Sequence, residues 1–162
     1  HAVVSGIAFS RAQAKLAVLG VPDKPGIAYE ILGAVADAGV EVDMIIQNAA
    51  KDGKTDFSFT VDQGNYEQTL ALLRDKVAPA IGAASVTGDP HICKVSIVGI
   101  GMRSHVGIAS TMFRALAEES INISMISTSE IKTSVVIDEK YLELAVRVLH
   151  RAFDLEQSAA PA

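Results

Sequence analysis

The strongest constraint on how this chain of 162 residues folds is an internal repeat. The run Lys15-Leu16-Ala17-Val18-Leu19-Gly20 recurs as Lys94-Val95-Ser96-Ile97-Val98-Gly99. The run Gly39–Ile45 recurs in the same way as Ser120–Ile126. Two copies of one structural unit are therefore expected, rather than one larger domain.

Within the first copy, the spacing of apolar residues changes between strand-like and helix-like in a fixed order. The sequence predicts, in turn, a strand at Leu16–Val21, a turn at Asp23–Gly26, a helix from Ile27 closed by Gly39, a strand at Val40–Gln47, a hairpin turn at Asp52–Gly53, a strand at Phe57–Val61, an amphipathic helix at Tyr66–Val77 and a strand at Ala83–Thr87. This order, βαββαβ, predicts the ferredoxin-like plan of the α+β class.

The second copy repeats this order but ends one strand early. Its predicted elements are a strand at Lys94–Gly101, a helix at Gly107–Glu119, strands at Ile121–Ser127 and Thr133–Ile137, and a helix at Tyr141–Phe153. Residues 154–162 are small, polar and without a pattern, so we expect a disordered tail there.

The missing strand is expected at the other end of the chain. Residues 2–9 form an apolar, strand-like run that has no place in the first copy. We therefore predict that the first unit, residues 15–90, is inserted into the second, which would combine residues 2–9 with 94–153.

Composition excludes several classes of function. The formal net charge is −5, and the basic residues are scattered, so a nucleic acid is not expected as a partner. No apolar run approaches the ~18 residues that a membrane span needs. The single cysteine, Cys93, fits a reducing cytoplasm and reads as a buried apolar residue. The chain begins with His1 rather than Met, so we expect a fragment.

The turn Asp23–Gly26 is the first candidate binding site. The first amides of a helix have no internal partners and lie at the positive end of its dipole, where a carboxylate is stabilised. A free α-amino acid carries such a carboxylate, and Asp23, Gln47 and Asn122 are candidate partners for its ammonium group. The alternative is an ordinary helix start, in which Asp23 only caps the helix.

The second copy keeps Gly107-Ile108-Ala109 where the first has Gly26-Ile27-Ala28, but the preceding residues differ. We therefore expect two related pockets with different specificity. The segment Ser127–Glu130, rich in hydroxyl groups, either forms a β-turn or lines the second pocket.

Other motifs are weaker. Gly99-x-Gly101 follows a strand as in dinucleotide-binding turns, but Ser104 stands where the third glycine is needed. The histidines lack the spacing of metal ligands. No catalytic site or cofactor site is expected. A small ferredoxin-like hydrolase is the rival from the enzyme class, with Arg103 and His105 as its only candidates.

Several segments, covering about residues 3–153, together resemble the regulatory region of monofunctional aspartate kinases, a tandem pair of ACT domains. They are Asp23–Gly26, Val42–Asn48, Thr55–Thr60, Lys94–Gly99, Gly101–His105 and Ile126–Ile131. The combination of Met102-Arg103-Ser104-His105 with Ser127-Thr128-Ser129-Glu130 is the most specific part of the resemblance.

The resemblance implies a homodimer in which the first ACT unit of one chain pairs with the second unit of its partner, with threonine bound at the interface. The implied threonine-site residues are Lys24, Pro25, Gly26, Ile27, Ala28 and Gln47 from one chain, and Asn122 and Ile123 from the other. A second effector site, used for lysine in some members, would comprise Asp23, Ser104, His105, Val106, Gly107, Ile108, Ala109, Ser129 and Glu130.

Two departures from the family pattern weaken the expectation of lysine: Val106 stands where Pro is common, and Ala109 where Thr can occur. The resemblance also implies a separate kinase domain or subunit that phosphorylates aspartate with ATP and Mg outside these residues. Rivals within the binding class are the ACT pair of another biosynthetic enzyme and an amino-acid-responsive regulator.

Overall fold

The structure, a computed structural model, describes residues 3–49, 51–100, 106–155 and 160–161. Its internal contacts divide the chain into two compact units. One unit is Ala12–Pro90, and the other combines the chain up to Arg11 with the chain from His91 onward. Two long strands, β1 (Val3–Pro22) and β4 (Ser85–Ile100), each contribute to both units.

The unit of residues 12–90 alternates strands and helices as the repeat predicts. After β1 it contains α1 (Ile27–Asp37), β2 (Ile45–Gln47), β3 (Lys54–Asp62), a 3-10 turn (Gln63–Asn65), α2 (Tyr66–Leu72), a π turn (Leu73–Val77) and α3 (Ala78–Ile81), before β4. Its strands lie in the order β2-β3-β1-β4, so the strand after the second helical segment adds beside the first strand. This is the ferredoxin-like arrangement.

Alternation along the central strands explains the core of this unit. β1 and β3 pair antiparallel, with Leu16 opposite Phe59 and Val18 opposite Phe57. These side chains face the helices, because successive residues of a strand point to opposite faces. The core is completed by apolar residues of α1 and of the α2–α3 segment, including Ile31, Val35, Leu73, Val77 and Ile81.

The other unit repeats the plan. It contains β4, α4 (Val106–Glu118), β5 (Met125–Thr128), β6 (Lys132–Asp138), a 3-10 turn (Glu139–Tyr141), α5 (Leu142–Ala152) and β7 (Ala160–Pro161). Its strand order is β1-β4-β6-β5, with β7 beside β1. Its separate core includes Ile7, Val95, Ile97, Met112, Leu116, Val135, Ile137 and Leu149. No helix among the described residues is long and apolar enough to cross a bilayer.

The fold class is confirmed, but several boundaries differ from the prediction. The strands expected at residues 2–9 and Leu16–Val21 form one strand, β1, and those expected at Ala83–Thr87 and Lys94–Gly101 form β4. Polar residues between the apolar runs made each long strand look like two separate strands in the sequence. Hydropathy falls at Ser10 and Arg11, yet backbone pairing continues, because ladder hydrogen bonds do not depend on side-chain polarity.

The two edge strands are shorter than predicted. Val40–Met44 was expected in a strand, but the amide of Met44 donates to the hydroxyl of buried Thr60, 3.0 Å away. In the second copy, Ile121–Ser124 is likewise outside β5, and the hydroxyl of Ser124 donates to the carbonyl of Val136 at 3.1 Å. Side-chain hydroxyls thus take part where a regular ladder would use backbone groups alone.

The helix predicted at Tyr66–Val77 continues to Ile81 through the π turn and past Pro79. A proline inside a helix lacks the N–H of a regular turn and its ring conflicts with the preceding turn. The wider hydrogen bonding of the π turn, placed immediately before α3, accommodates this change. The helices predicted at Gly107–Glu119 and Tyr141–Phe153 differ from α4 and α5 by one residue at each end.

The prediction of a disordered tail over residues 154–162 is wrong for Ala160 and Pro161. They form β7, which pairs parallel with Ala8 and Phe9 of β1. β3 ends at Asp62, opposite Gln13, so the edge of β1 that carries Ala8 and Phe9 is left without this neighbour. Unpaired backbone groups at a sheet edge accept an added strand without requiring an apolar pattern in it.

Candidate functional site

The N-terminus of α1 presents amides that no internal group uses. Gly26 is the N-cap, with a φ of 91°, and no side chain caps the helix. The amide of Ile27 donates to the carbonyl of Lys24 at 3.3 Å, and the helical ladder begins where Glu30 donates to Gly26 at 3.0 Å. Within the described residues, the amides of Ala28 and Tyr29 have no acceptor. They lie at the positive end of the helix dipole.

Access to these amides is open. Gly26 is exposed, and a Cβ atom built on it would meet nothing within 4 Å. Asp23, Lys24 and Pro25 are exposed as well, whereas buried Ile27 anchors the start of the helix in the core. A ligand can therefore approach the turn 23–26 from solvent without displacing a core side chain.

Asp23 does not cap α1, so that alternative for its role is wrong. Instead its backbone amide donates to the carbonyl of Gly53 at 2.9 Å. Gly53 belongs to the two-residue hairpin turn predicted at Asp52–Gly53, where both residues have positive φ and Lys51 and Lys54 exchange backbone hydrogen bonds. This bond ties the turn to the hairpin and leaves the Asp23 carboxylate exposed.

Gln47 lies at the same end of the sheet as the turn 23–26. It pairs with Phe57 of β3, which pairs in turn with Val18 of β1. Its side chain is exposed at the last residue of β2. Two strand spacings separate β2 from β1, roughly 10 Å. The side chain of Gln47 is thus presented at the end of the sheet where β1 leads into the turn 23–26.

This arrangement is suited to a small zwitterion. Free amides donate charge-assisted hydrogen bonds to a carboxylate, each contributing roughly 1.5–3 kcal/mol. An ammonium group needs oxygen acceptors, which Gln47 and Asp23 supply.

The second copy builds the same end of its sheet from Gly107, Ile108, Ala109, Ser129 and Glu130. Gly107 is exposed near the start of α4, and Ile108 and Ala109 are half-buried. The amide of Ser129 donates to the carbonyl of Lys132 at 2.8 Å, and its hydroxyl accepts from the amide of Lys132 at 3.2 Å. Ser129 therefore stabilises a turn, as one of the two alternatives predicted, and Glu130 is exposed.

Part of the second candidate site lies outside the described residues. Ser104 and His105 fall there, as do Arg103 of the hydrolase alternative and Gly101 of the dinucleotide alternative. Val106 begins α4, and its side chain is not described. Asp23, assigned to the same site, belongs to the other unit.

Asn122 and Ile123 belong to a different unit from the turn 23–26. They lie between α4 and β5, before the strand begins, with Asn122 exposed and Ile123 half-buried. In this unit the hairpin at Ser129 is at the far end of β5. Their assignment to the threonine site depends on a second chain.

Sequence reasoning missed Tyr29, which is 80% exposed beside the free amides of α1. Its ring lies along the helix surface, since a Cβ atom added to Gly33 would be 3.4 Å from its Cε1 atom. An aromatic residue with glycine four positions later, on the polar face of a helix, is the signal that could have indicated it.

Cys93 behaves as the sequence predicts, as a buried apolar residue. It is 0% exposed in the core of its unit. Burial raises the pKa of its thiol to about 12, with smaller contributions from the carboxylates of Glu139 and Asp138 against the opposing charge of Arg11. The thiol is therefore protonated and unreactive near neutral pH.

Among the described residues, no three His, Cys, Asp or Glu side chains are grouped so that they could hold a metal ion. His91 pairs instead with Glu139, its Nδ1 atom 3.1 Å from the carboxylate. Both side chains are largely exposed, so the contact contributes little to stability.

Two family models match this chain, and both describe ACT domains. One covers residues 16–77 and the other residues 95–153. Each match falls on one copy of the repeat.

Whole-chain relatives agree with these matches. The chain is 61% identical over 157 residues to an aspartate kinase of Pseudomonas putida, covering 97% of this chain and 38% of that protein. It is similar to the crystal structure of the aspartokinase alpha and beta subunits, with 67% identity, a TM-score of 0.88 and coverage of 94% of this chain and 100% of the other. The ligand-free regulatory subunit of aspartate kinase from Thermus thermophilus is 39% identical, with a TM-score of 0.86 over 93% of this chain and 99% of that one.

Proposed function

This chain belongs to the aspartokinase family as its regulatory portion of two ACT domains, and from that premise we propose that it senses a free amino acid and mediates feedback inhibition of a kinase. The observation that carries the proposal is the pair of free amides, of Ala28 and Tyr29, open to solvent beside Gly26. The chain spans 38% of the length of its Pseudomonas putida relative, so the catalytic part lies outside these residues.

Threonine is the proposed effector at the turn 23–26. Its carboxylate would accept from the free amides, and its ammonium group would donate to the side-chain oxygen of Gln47. Asn122 and Ile123 of a second chain would close the site in a homodimer. Lysine is the proposed alternative effector at the N-terminal end of α4, where Ser129 and Glu130 lie at the same end of the sheet.

Inhibition follows from linkage. An effector that binds one dimer arrangement more tightly than another shifts the population toward it, and an attached kinase responds to that shift. The proposed kinase domain or subunit uses ATP and Mg outside this chain. The cytoplasm is the proposed location, which the presence of a single cysteine in this chain favours.

Calorimetry on the 162-residue chain tests the effector. We expect threonine to release or absorb heat on binding, and threonine amide, which lacks the carboxylate, to bind at least about tenfold more weakly. Binding of a different amino acid instead of threonine would change the proposed effector but would still support the proposal that the chain senses an amino acid. Absence of binding by all twenty amino acids would overturn the proposal.

Residue assignments need a matched pair of variants. Gln47→Ala is expected to weaken threonine binding, whereas Gln68→Ala, an exposed glutamine that donates to Ala38 at the opposite end of α1, should leave it unchanged. Threonine affinity in the Gln47→Ala variant equal to that of the parent would remove Gln47 from the site.

Sedimentation velocity with and without threonine tests whether the chain forms the proposed homodimer.

A further inference from the structure

A second concave site lies on the unit that contains His91 and is built by β1 and α5. It is a cleft of about 400 Å³ between β1 and the flank of α5. Its floor is apolar, formed by Phe9, Leu142 and Val146. It shares no residue with the turn 23–26 or with the candidate site before α4.

The rim of this cleft, which we call the α5 cleft, carries charged groups. Among the described residues that line it, Arg11 and Arg147 contribute guanidinium groups and Glu143 contributes a carboxylate. The guanidinium of Arg11 stands 5.3 Å from the centre of the Phe9 ring, which holds it over the apolar floor. Arg147 and Glu143 are four residues apart on α5, yet they form no ion pair with each other.

His150, which lines the α5 cleft, carries a polar atom that the described part of the fold leaves unsatisfied. Nε2 of His150 is buried, and it has no hydrogen-bond partner in the described part of the chain. Leaving a buried polar group without a partner is energetically unfavourable, so such groups are rare unless something outside the fold satisfies them. In the tautomer protonated at Nε2, His150 has a hydrogen-bond donor for which an oxygen of a ligand is a suitable acceptor.

We propose that the α5 cleft binds a small organic acid with an apolar body. Phe9, Leu142 and Val146 would cover the hydrocarbon part, and the carboxylate would accept from the guanidinium of Arg147. An oxygen of the same ligand would accept from Nε2 of His150. Each feature of the cleft then has a role: the apolar floor covers the hydrocarbon part of the ligand, the guanidinium of Arg147 selects an anion, and the unsatisfied nitrogen of His150 gains a partner.

A branched-chain acid and its relatives test the chemistry by nuclear magnetic resonance on the uniformly 15N-labelled 162-residue chain. We expect 4-methylpentanoate to shift the amide signals of residues 9–11 and 142–150, while 4-methylpentanamide, which lacks the charge, does not. Leucine forms the second arm: tighter binding of leucine than of 4-methylpentanoate identifies an amino acid as the ligand, and the reverse identifies a deaminated acid.

The experiment distinguishes failure of the α5 cleft proposal from failure of the proposal that threonine binds at the turn 23–26. Absence of shifts with both acids up to about 20 mM, or shifts confined to residues 23–29, would overturn the α5 cleft as a site. Threonine binding at the turn 23–26 would be unaffected by either result, since the two sets of signals belong to different units.

Matched arginine variants locate the anion. Arg147→Gln is expected to weaken 4-methylpentanoate binding by roughly tenfold or more, because it removes a charge-assisted hydrogen bond. Arg151→Gln, an exposed arginine one turn further along α5 and outside the cleft, is the control that should bind as the parent does. Equal affinity in the Arg147→Gln variant would contradict the proposal.

His150→Phe separates binding from stability. It removes the unsatisfied nitrogen while keeping an aromatic ring, so the melting temperature is expected to hold or rise while affinity for the acid falls. A variant that retained the parent's affinity would show that His150 does not contact the ligand.

Discussion

Ser120 occupies at the end of α4 the place that Gly39 occupies at the end of α1, and both have a left-handed backbone, with φ values of 57° and 79°. The hydrogen bonds match as well. The backbone amide of Val40 donates to the carbonyl of Val35 at 3.2 Å, and that of Ile121 donates to the carbonyl of Leu116 at 3.0 Å. In each case the hydrogen bond spans five residues and ends the helix. The same helix-ending motif is therefore formed once with glycine, which suits a left-handed backbone, and once with serine, which does not.

Ser120→Gly is expected to stabilise the protein by about 0.5–1 kcal/mol, because glycine adopts this backbone without the strain of a side chain. Urea denaturation measures the change. Ser110→Gly, at an exposed position inside α4, is the matched control and should destabilise by about 0.5 kcal/mol. Ser120→Ala keeps the strain and should show no gain; a gain as large as that of glycine would refute the backbone explanation.

Gly20→Ala is expected to destabilise the protein by about 2 kcal/mol or more. Gly20 has a φ of 63°, and a Cβ atom there would lie 2.7 Å from the Cβ of Ala84, closer than side chains approach each other. Gly39→Ala has the positive φ but open space around the added carbon, so it isolates the backbone strain and should cost less. Equal losses in the two variants, measured by urea denaturation, would exclude the clash with Ala84 as a cause.

Ser96 and Ser134 form a buried pair across β4 and β6, with hydroxyl oxygens 2.7 Å apart. Either single change to alanine leaves the other hydroxyl without its partner, so we expect each to cost about 1–2 kcal/mol. The double alanine variant should lose less than the sum of the two single losses. A double-mutant cycle in urea checks this, and strictly additive losses would mean that the two hydroxyls are not coupled.

Cys93 makes stability fall at alkaline pH. Its unfolded pKa of 9.0 rises to about 12 in the folded protein, chiefly through burial. Below pH 9 both states hold the proton, and between pH 9 and about 12 only the unfolded state releases it, so unfolding is increasingly favoured there.

Replacing Cys93 with alanine should therefore flatten this part of the stability profile. The difference in unfolding free energy between the parent and Cys93→Ala is expected to be constant from pH 7 to about 8.5 and then to shift against the parent. A difference that stays constant through pH 10.5 would show that the thiol does not titrate differently in the two states.

Most of the fold could be predicted because it depends on patterns that side chains impose locally. Phe57 and Phe59 alternate with polar residues, and Asp52-Gly53 supplies the backbone of a tight hairpin turn. The limits of β2 could not be foreseen, because the hydroxyl of Thr60 competes for the amide of Met44 only after distant residues have met. The pairing of Ala160 with Ala8 has no local signal for the same reason.

The candidate site was predictable in its backbone and less so in its surroundings. Gly26 indicates an open helix start from sequence alone, since it removes a side chain where the free amides lie. Tyr29 and the α5 cleft depend on which helix face is left uncovered, and that is decided by packing. Phe9 and His150 are 141 positions apart in the sequence by their numbering, so no window of sequence could have joined them.

The chain crosses between its two units inside β1 and inside β4, at Arg11–Ala12 and at Pro90–His91. No single cut of the gene can therefore release an intact half: a product starting at His91 would lack Ile7, which is only 3% exposed in the core it completes. Excising Ala12–Pro90 and joining the ends with a short turn would keep every strand of the remaining half. Cleavage of the backbone at either crossing would interrupt a strand that belongs to both units. The two units are therefore expected to lose their structure together.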